Sequence, residues 1–253
     1  MRTRFFATAF PVLTLVAVTA YAGGTQTVDF GTTELGQIQT RCFFNATGTF
    51  NSITVNPPYF VRGIRLGPTS AGGDVCANNP GLTTPTTLPR TTGAGQQLVF
   101  DVDLVPTAIG DQDRTLRINN QPKLDLMAHV SPALPCFPTP ATNCLQDDRF
   151  KVRTHWRTTF GTRDTGPAVQ GVSSDDSGLF YFFNQDNWEV LLKVLNACSS
   201  TQPRFWVFSA ATTNVEYTIT VVDTQEQQAR SYFKPQGPPA PAITDTNAFA
   251  TCP

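Results

Sequence analysis

From Val28 onward the chain alternates apolar and polar residues in short runs, each closed by Gly, Pro, Asn or Asp. A period of two marks a half-buried strand. It predicts strands over residues 37–44, 50–55, 60–66, 98–104, 114–118 and 124–130. In Leu98-Val99-Phe100-Asp101-Val102-Asp103-Leu104 the alternation puts four apolar residues on one face and both Asp on the other. That is the pattern of an antiparallel strand with one face in a core and one toward solvent. Residues 67–95 are rich in Gly, Pro, Asn and Thr and predict a long loop tied near its middle by Cys76. Residues 131–143 hold Pro132, Pro135, Pro138 and Pro140, too many for a ladder or a helix, and predict a linker. Strands resume over 149–157, 179–183, 188–195, 204–210, 215–223 and 229–233, and the Pro-rich stretch 234–241 predicts an extended tail. No sustained 3.6-residue period follows the first two dozen residues. The expectation is an all-β chain of two tandem antiparallel β-sandwich domains, residues 25–130 and 144–253.

Composition agrees with this reading. Only four Glu and four Lys occur in 253 residues, so the usual fillers of exposed helix faces are scarce. With 40% hydrophobic residues the chain has enough apolar side chains for real cores. A net charge of −1 with 15% charged residues argues against a nucleic-acid surface.

Residues 1–22 have the order of a secretory signal: Arg2 and Arg4, an apolar run over 5–20, then Ala20-Tyr21-Ala22. Cleavage after Ala22 is expected, leaving no transmembrane anchor and, with no Cys at the cleavage site, no lipid anchor. The predicted location is secreted or periplasmic. All six cysteines, Cys42, Cys76, Cys136, Cys144, Cys198 and Cys252, lie beyond the signal. An even number of thiols delivered to an oxidising compartment predicts disulfides. Among the pairings open to them, the local set Cys42–Cys76, Cys136–Cys144 and Cys198–Cys252 is favoured, because each bond then stays inside one structural unit. Zinc is the rival, but no CxxC occurs, and His129 and His155 have no ligand spacing to a Cys pair.

Three segments carry a resemblance: Val28-Asp29-Phe30-Gly31 with Gly36-Gln37, then Phe100 to Ala108 with Gly110, then Leu116-Arg117-Ile118. With them residues 25–130 resemble the bacterial hydin-type, ASH-like immunoglobulin domains, although Asn45-Ala46-Thr47-Gly48 stands where that family has a tighter Asn-x-Gly. The resemblance implies an immunoglobulin-like first sandwich with a non-catalytic binding or scaffold role. In the second half the pattern runs through Cys136, Cys144, Arg149-Phe150-Lys151-Val152 and Trp156. It continues through Ser177 to Phe183, Glu189 to Leu195, Cys198, Phe205 to Phe208, Thr213 to Thr218, Asp245 to Phe249 and Cys252. It resembles a cysteine-clipped C-terminal module of secreted bacterial proteins, which implies an envelope or extracellular setting.

No nucleophile, metal or phosphate motif is present: GxSxG, HExxH, Walker A and GxGxxG are all missing. His155, in Arg153-Thr154-His155-Trp156-Arg157, is placed by alternation opposite Trp156 and toward solvent, and His129 ends a strand. Asp101 and Asp103 read as the outer face of a strand, and Asp111 and Asp113 as a solvated turn. The acidic loop 173–178 lacks the spacing of an EF-type calcium loop; it reads as a hairpin loop, with a loop calcium site completed by distant ligands as the alternative. Exposed aromatics are the remaining chemistry, and Tyr181, Phe183 and Trp188 are the candidate ligand-binding residues, beside a core-packing role for most rings. The expected function is a non-enzymatic binding or scaffold protein of the bacterial envelope, without cofactor or metal, whose partner is an envelope protein or glycan. The alternative is a carbohydrate-binding module.

Overall fold

The structure is a computed structural model that describes residues 25–45, 48–76, 81–169, 171 and 173–253. The predicted signal, residues 1–22, lies outside the described residues. Among the described residues eleven strands precede residue 132: β1 (Gln26–Glu34), β2 (Gln39–Asn45), β3 (Thr49–Phe50), β4 (Ile53–Thr54), β5 (Tyr59–Pro68), β6 (Thr84–Pro85), β7 (Arg90–Thr91), β8 (Gln96–Leu104), β9 (Gly110–Asp111), β10 (Arg114–Ile118) and β11 (Gln121–Ser131). Nine follow: β12 (Asn143–Leu145), β13 (Phe150–Arg157), β14 (Arg163–Gly166), β15 (Ser177–Tyr181), β16 (Trp188–Asn196), β17 (Phe205–Ala211), β18 (Glu216–Asp223), β19 (Gln228–Lys234) and β20 (Ile243–Phe249).

These strands build four main sheets. Sheet I has the order β1-β11-β10-β4, with β9 beside β11; sheet II is β2-β8-β5-β6. Sheet III is β12-β13-β18-β19, with β14 beside β13, and sheet IV is β15-β16-β17-β20. Strands β3 and β7 form a separate two-stranded ladder.

The chain is all-β and its ladders are antiparallel, with one departure from the expected pattern: β1 runs parallel to β11. After β1 the chain leaves sheet I for sheet II and returns only later, so β1 has no hairpin partner and either direction of pairing is open to it. A bulge interrupts β1 between Asp29 and Thr32. There Gly31 adopts φ +75° and donates its N–H to Asp29 Oδ1 at 2.7 Å, the left-handed geometry a glycine supplies at low cost.

Alternation decides what each sheet buries. Val28, Phe30, Leu116, Leu124 and Leu126 of sheet I pack against Phe43, Tyr59, Phe100, Val102 and Leu104 of sheet II. Phe150, Val152, Trp156, Ile219 and Val221 of sheet III pack against Phe180, Val190, Leu192, Val207 and Phe249 of sheet IV. The ring of Phe150 lies 4.8 Å from that of Phe205 and 5.1 Å from that of Phe249.

The disulfides are Cys42–Cys76, Cys136–Cys144 and Cys198–Cys252, the three local pairs. Each closes a ring within one half of the chain and restricts the unfolded ensemble of that half. The described residues of 67–95 hold more regular structure than a long loop: β5 runs to Pro68, a 3-10 helix spans Thr69–Cys76, and β6 and β7 follow. The cause is the burial of Val75 and Cys76 against Val99, beside the disulfide to Cys42. Beyond the Pro-rich stretch 234–241, which bends at residues 236–238, β20 adds an edge strand that the alternation does not predict, because Asp245 and Asn247 interrupt it. Asp245 is accommodated by the hydroxyl of Tyr232, which donates to it at 2.8 Å.

Sheets II and III meet through the faces they turn away from their own cores, so the sheets stack I, II, III, IV. At one end of this contact Leu35, Val130 and Ala133 pack on Val222 and Ala229. Gln227 brackets the linker there, accepting from Ala133 N–H at 2.7 Å and donating to Ala133 O at 3.1 Å. Among the described residues no helix is long and apolar enough to cross a membrane.

Truncating the fully buried Phe150 to Ala is expected to destabilise the second sandwich by about 3–5 kcal/mol. Urea unfolding followed by far-ultraviolet dichroism would read this as an earlier transition.

Candidate functional site

Along β13 the residues facing away from the core are Lys151, Arg153, His155 and Arg157, four basic or titratable side chains in alternation. Along β8 the equivalent face carries Asp101 and Asp103. Both faces were expected in solvent, and neither is: Asp101 is 0% and Asp103 4% exposed, because sheet III covers sheet II. A strand face with charges on every second residue needs either water or a complementary strand, and here it has the second.

The contact is a continuous line of charge. At the linker end, Glu34 pairs with Lys151 and with Arg153 at 3.2 Å, and it accepts from Leu134 N–H at 2.8 Å. In the middle, His155 Nε2 lies 3.4 Å from the hydroxyl of Thr40, which donates to Asp103 at 2.7 Å. At the far end, Arg157 reaches Asp103 at 2.6 Å, Glu216 at 2.7 Å and Asp101 at 3.0 Å. Asp101 Oδ2 also faces Arg65 at 3.1 Å and Arg163 at 3.6 Å. Around this cluster Arg62 stacks 3.8 Å over the ring of Phe233, and Thr83 donates to Phe160 O at 3.1 Å.

Glycine lets the two sheets approach. Gly36, with φ +78°, accepts from the Thr220 hydroxyl at 2.8 Å, and a Cβ there would lie 2.2 Å from Val222 Cγ2.

Burial and partners set the protonation states. Burial alone would raise Asp103, but the adjacent Arg157 guanidinium holds it down at about 2. Burial pushes His155 down to about 4 against the pull of Asp103, with Arg157 and Arg163 adding to the decrease. Arg157 is raised despite its burial by Asp103 and Asp101. Burial raises Glu216, opposed by Arg157. Glu34 is lowered: its burial acts the other way, but Lys151 and Arg153 outweigh it.

The three aromatic candidates fall in two places. Tyr181 and Trp188 are cross-strand partners on the outer face of sheet IV, and Trp188 is 47% exposed with its indole N–H donated to Gln185 O at 3.1 Å. Phe183 lies beyond the end of β15, where its ring packs edge-on against Trp156 at 4.8 Å while the side chain stays 56% exposed. The same outer face carries residues that the sequence pattern does not single out: Leu179, Leu191, Leu195, Trp206 and Phe208, in register across three strands. Among these Leu191 is exposed and the rest half-buried. The signal was present as an apolar residue at every second outward position, but a strand with both faces apolar does not reveal which face is covered.

The other candidates are committed locally. His129 pairs with Asp111 at 2.7 Å on the surface. In the acidic loop, Asp175 accepts from Asp147 N–H at 2.8 Å, and Asp176 accepts from the side chain of Gln146. Among the described residues no three His, Cys, Asp or Glu side chains converge on a point that could hold a metal. A polar groove of 520 Å³ on sheet I is lined by Arg114, Arg117 and Asp125 among others. Arg114 donates to Pro57 O, Arg117 to Asn120 O, and Asp125 accepts from Thr115.

Two predictions follow from the interface. Gly36→Ala should cost about 2–4 kcal/mol, combining backbone strain with a clash against sheet III, whereas Gly31→Ala, with open space around it, should cost only the strain; denaturant titrations would separate them. The second concerns pH. His155 is held at about 4 in the folded protein against 6.5 when unperturbed, so the unfolded chain binds more protons between these values. Stability is then full above pH 6.5 and falls as pH drops toward 4. Urea midpoints across that range should show the slope, and His155→Gln should flatten it. Compared with models of known protein families and with curated proteins, the chain matches none.

Proposed function

We propose that the protein is a secreted or periplasmic binding or scaffold protein of the bacterial envelope that works without catalysis. The observation supporting this reading is the outer face of sheet IV, where Leu179, Tyr181, Trp188, Leu191, Trp206 and Phe208 share one surface at the end of the sheet stack. Lys193 is the charged residue within its rows. Contiguous apolar surface of this kind marks contact sites, and Tyr and Trp supply much of the binding energy where such sites meet a protein. The leucines favour a protein over a sugar, since aliphatic side chains offer no ring for a pyranose to stack on. The immunoglobulin-like resemblance of residues 25–130 points the same way, to a scaffold that presents surfaces.

The second reading, a carbohydrate-binding module, rests on the cross-strand pair of exposed Trp188 and half-buried Tyr181. Envelope-protein extracts, peptidoglycan and exopolysaccharides presented to the immobilised protein would separate the two. Capture of one protein, weakened at least about tenfold by Leu191→Asp with an unchanged melting temperature, is the expected result. Retention on a polysaccharide with a shift in Trp emission, abolished by Trp188→Ala, would replace it with the carbohydrate reading.

A further inference from the structure

The three disulfides all lie within one half or the other, so no covalent cross-link spans the contact between sheets II and III. Each half also has its own apolar core. The contact is unlike either: apart from the plug of Leu35, Val130, Ala133, Val222 and Ala229 at the linker end, it is predominantly charged and polar. We propose that this interface is an acid-sensitive hinge, closed as a four-sheet stack at neutral pH and opening at its far end, around His155 and Arg157, when His155 takes up a proton.

The geometry says why this histidine matters. Arg157 shares its strand; Arg163 of β14, Asp101 and Asp103 of β8, and Thr40 of β2 face it from the elements packed against it. Arg62 and Arg65 of β5 and Glu216 of β18 complete the cluster through Arg157 and Asp101. Four guanidinium groups already face three carboxylates. A charge on the half-buried His155 adds a fifth cation beside these groups. Once the sheets part, the same imidazolium is solvated on an exposed strand face, so protonation favours the open form. Because the closed form holds His155 below its ordinary value, acid shifts the closed-to-open equilibrium toward the open form.

Asp103 extends the drive to lower pH, since its lowered value means that the closed form resists its protonation as well. Glu216, raised by burial, takes its proton more readily closed than open and acts against opening. At the linker end Glu34 is lowered as well, so its ion pairs with Lys151 and Arg153 persist below the usual carboxylate range but also favour the closed form less as pH falls further, and the joining there falls to groups that do not titrate. With the apolar plug and the Gln227 bracket beside it, that end stays joined and serves as the pivot.

Small-angle X-ray scattering of the whole protein between pH 7.5 and 3.5, with far-ultraviolet dichroism on the same samples, tests the proposal. The expected result is a reversible rise in radius of gyration below about pH 5 while the strand signal is unchanged. His155→Gln and His155→Asn should stay compact at the pH where the parent protein is half open, and His129→Gln should behave like the parent. A parent protein that stays compact to pH 3.5 would overturn the proposal, as would expansion that coincides with loss of the strand signal. Either neutral variant opening at the parent's midpoint would also overturn it.

Discussion

Two carboxylates on β8 and the guanidinium of Arg157 on β13 fix the relation between the halves of this protein. Asp101 and Asp103 are taken out of water by a neighbouring sheet, and ions of this size lose several kcal/mol of hydration when buried. That cost is tolerable only if the partner sheet delivers cations at matching positions. Arg157 spans both carboxylates, and Arg65 and Arg163 approach Asp101 from its other sides. The requirement is directional. A sliding or rotation of sheet III over sheet II by one strand spacing would leave buried charge unpaired, which is far more costly than a lost apolar contact. Charge thereby sets the register of the stack, while the apolar cores of each sandwich supply its stability.

This division of labour accounts for the rest of the molecule. Disulfides and aromatic cores hold each half together; Gly36, with no side chain, lets sheet III come close enough for Thr220 and Val222 to reach it. The Pro-rich linker is not a loose tether, because Ala133 and Leu134 are hydrogen-bonded to Gln227, Glu34 and Lys151 on both sides. With the faces of sheets II and III spent on each other, outward faces remain on sheets I and IV. Of these, sheet IV is the apolar one, and the proposed binding role rests there.

Much of this was legible in the order of residues. Alternation located most of the long strands, though not the nine-residue β1, and locality of the cysteines selected the three observed bonds. The strands β12, β14 and β20 were not legible, because β12 and β14 carry too few alternating residues to stand out and Asp245 and Asn247 break the alternation of β20. The interface was half legible. Lys151, Arg153, His155 and Arg157 form a basic stripe, and Asp101 and Asp103 an acidic one, both visible as alternation. A single strand's pattern cannot say whether its polar face meets water or another polar face, and the default of solvent is wrong here because two stripes of opposite sign are available to each other.

The claim that complementary charge docks the two sandwiches is tested most directly by a double-mutant cycle across the contact, Asp103→Asn with Arg157→Gln. Denaturant unfolding of the parent, both single variants and the double variant supplies the four stabilities. The account predicts that each single change is more damaging than its share of the double, with a coupling of about 1–3 kcal/mol. A coupling within error of zero would contradict it, and would mean that the stack is held by the apolar plug at the linker end and not by the buried ions.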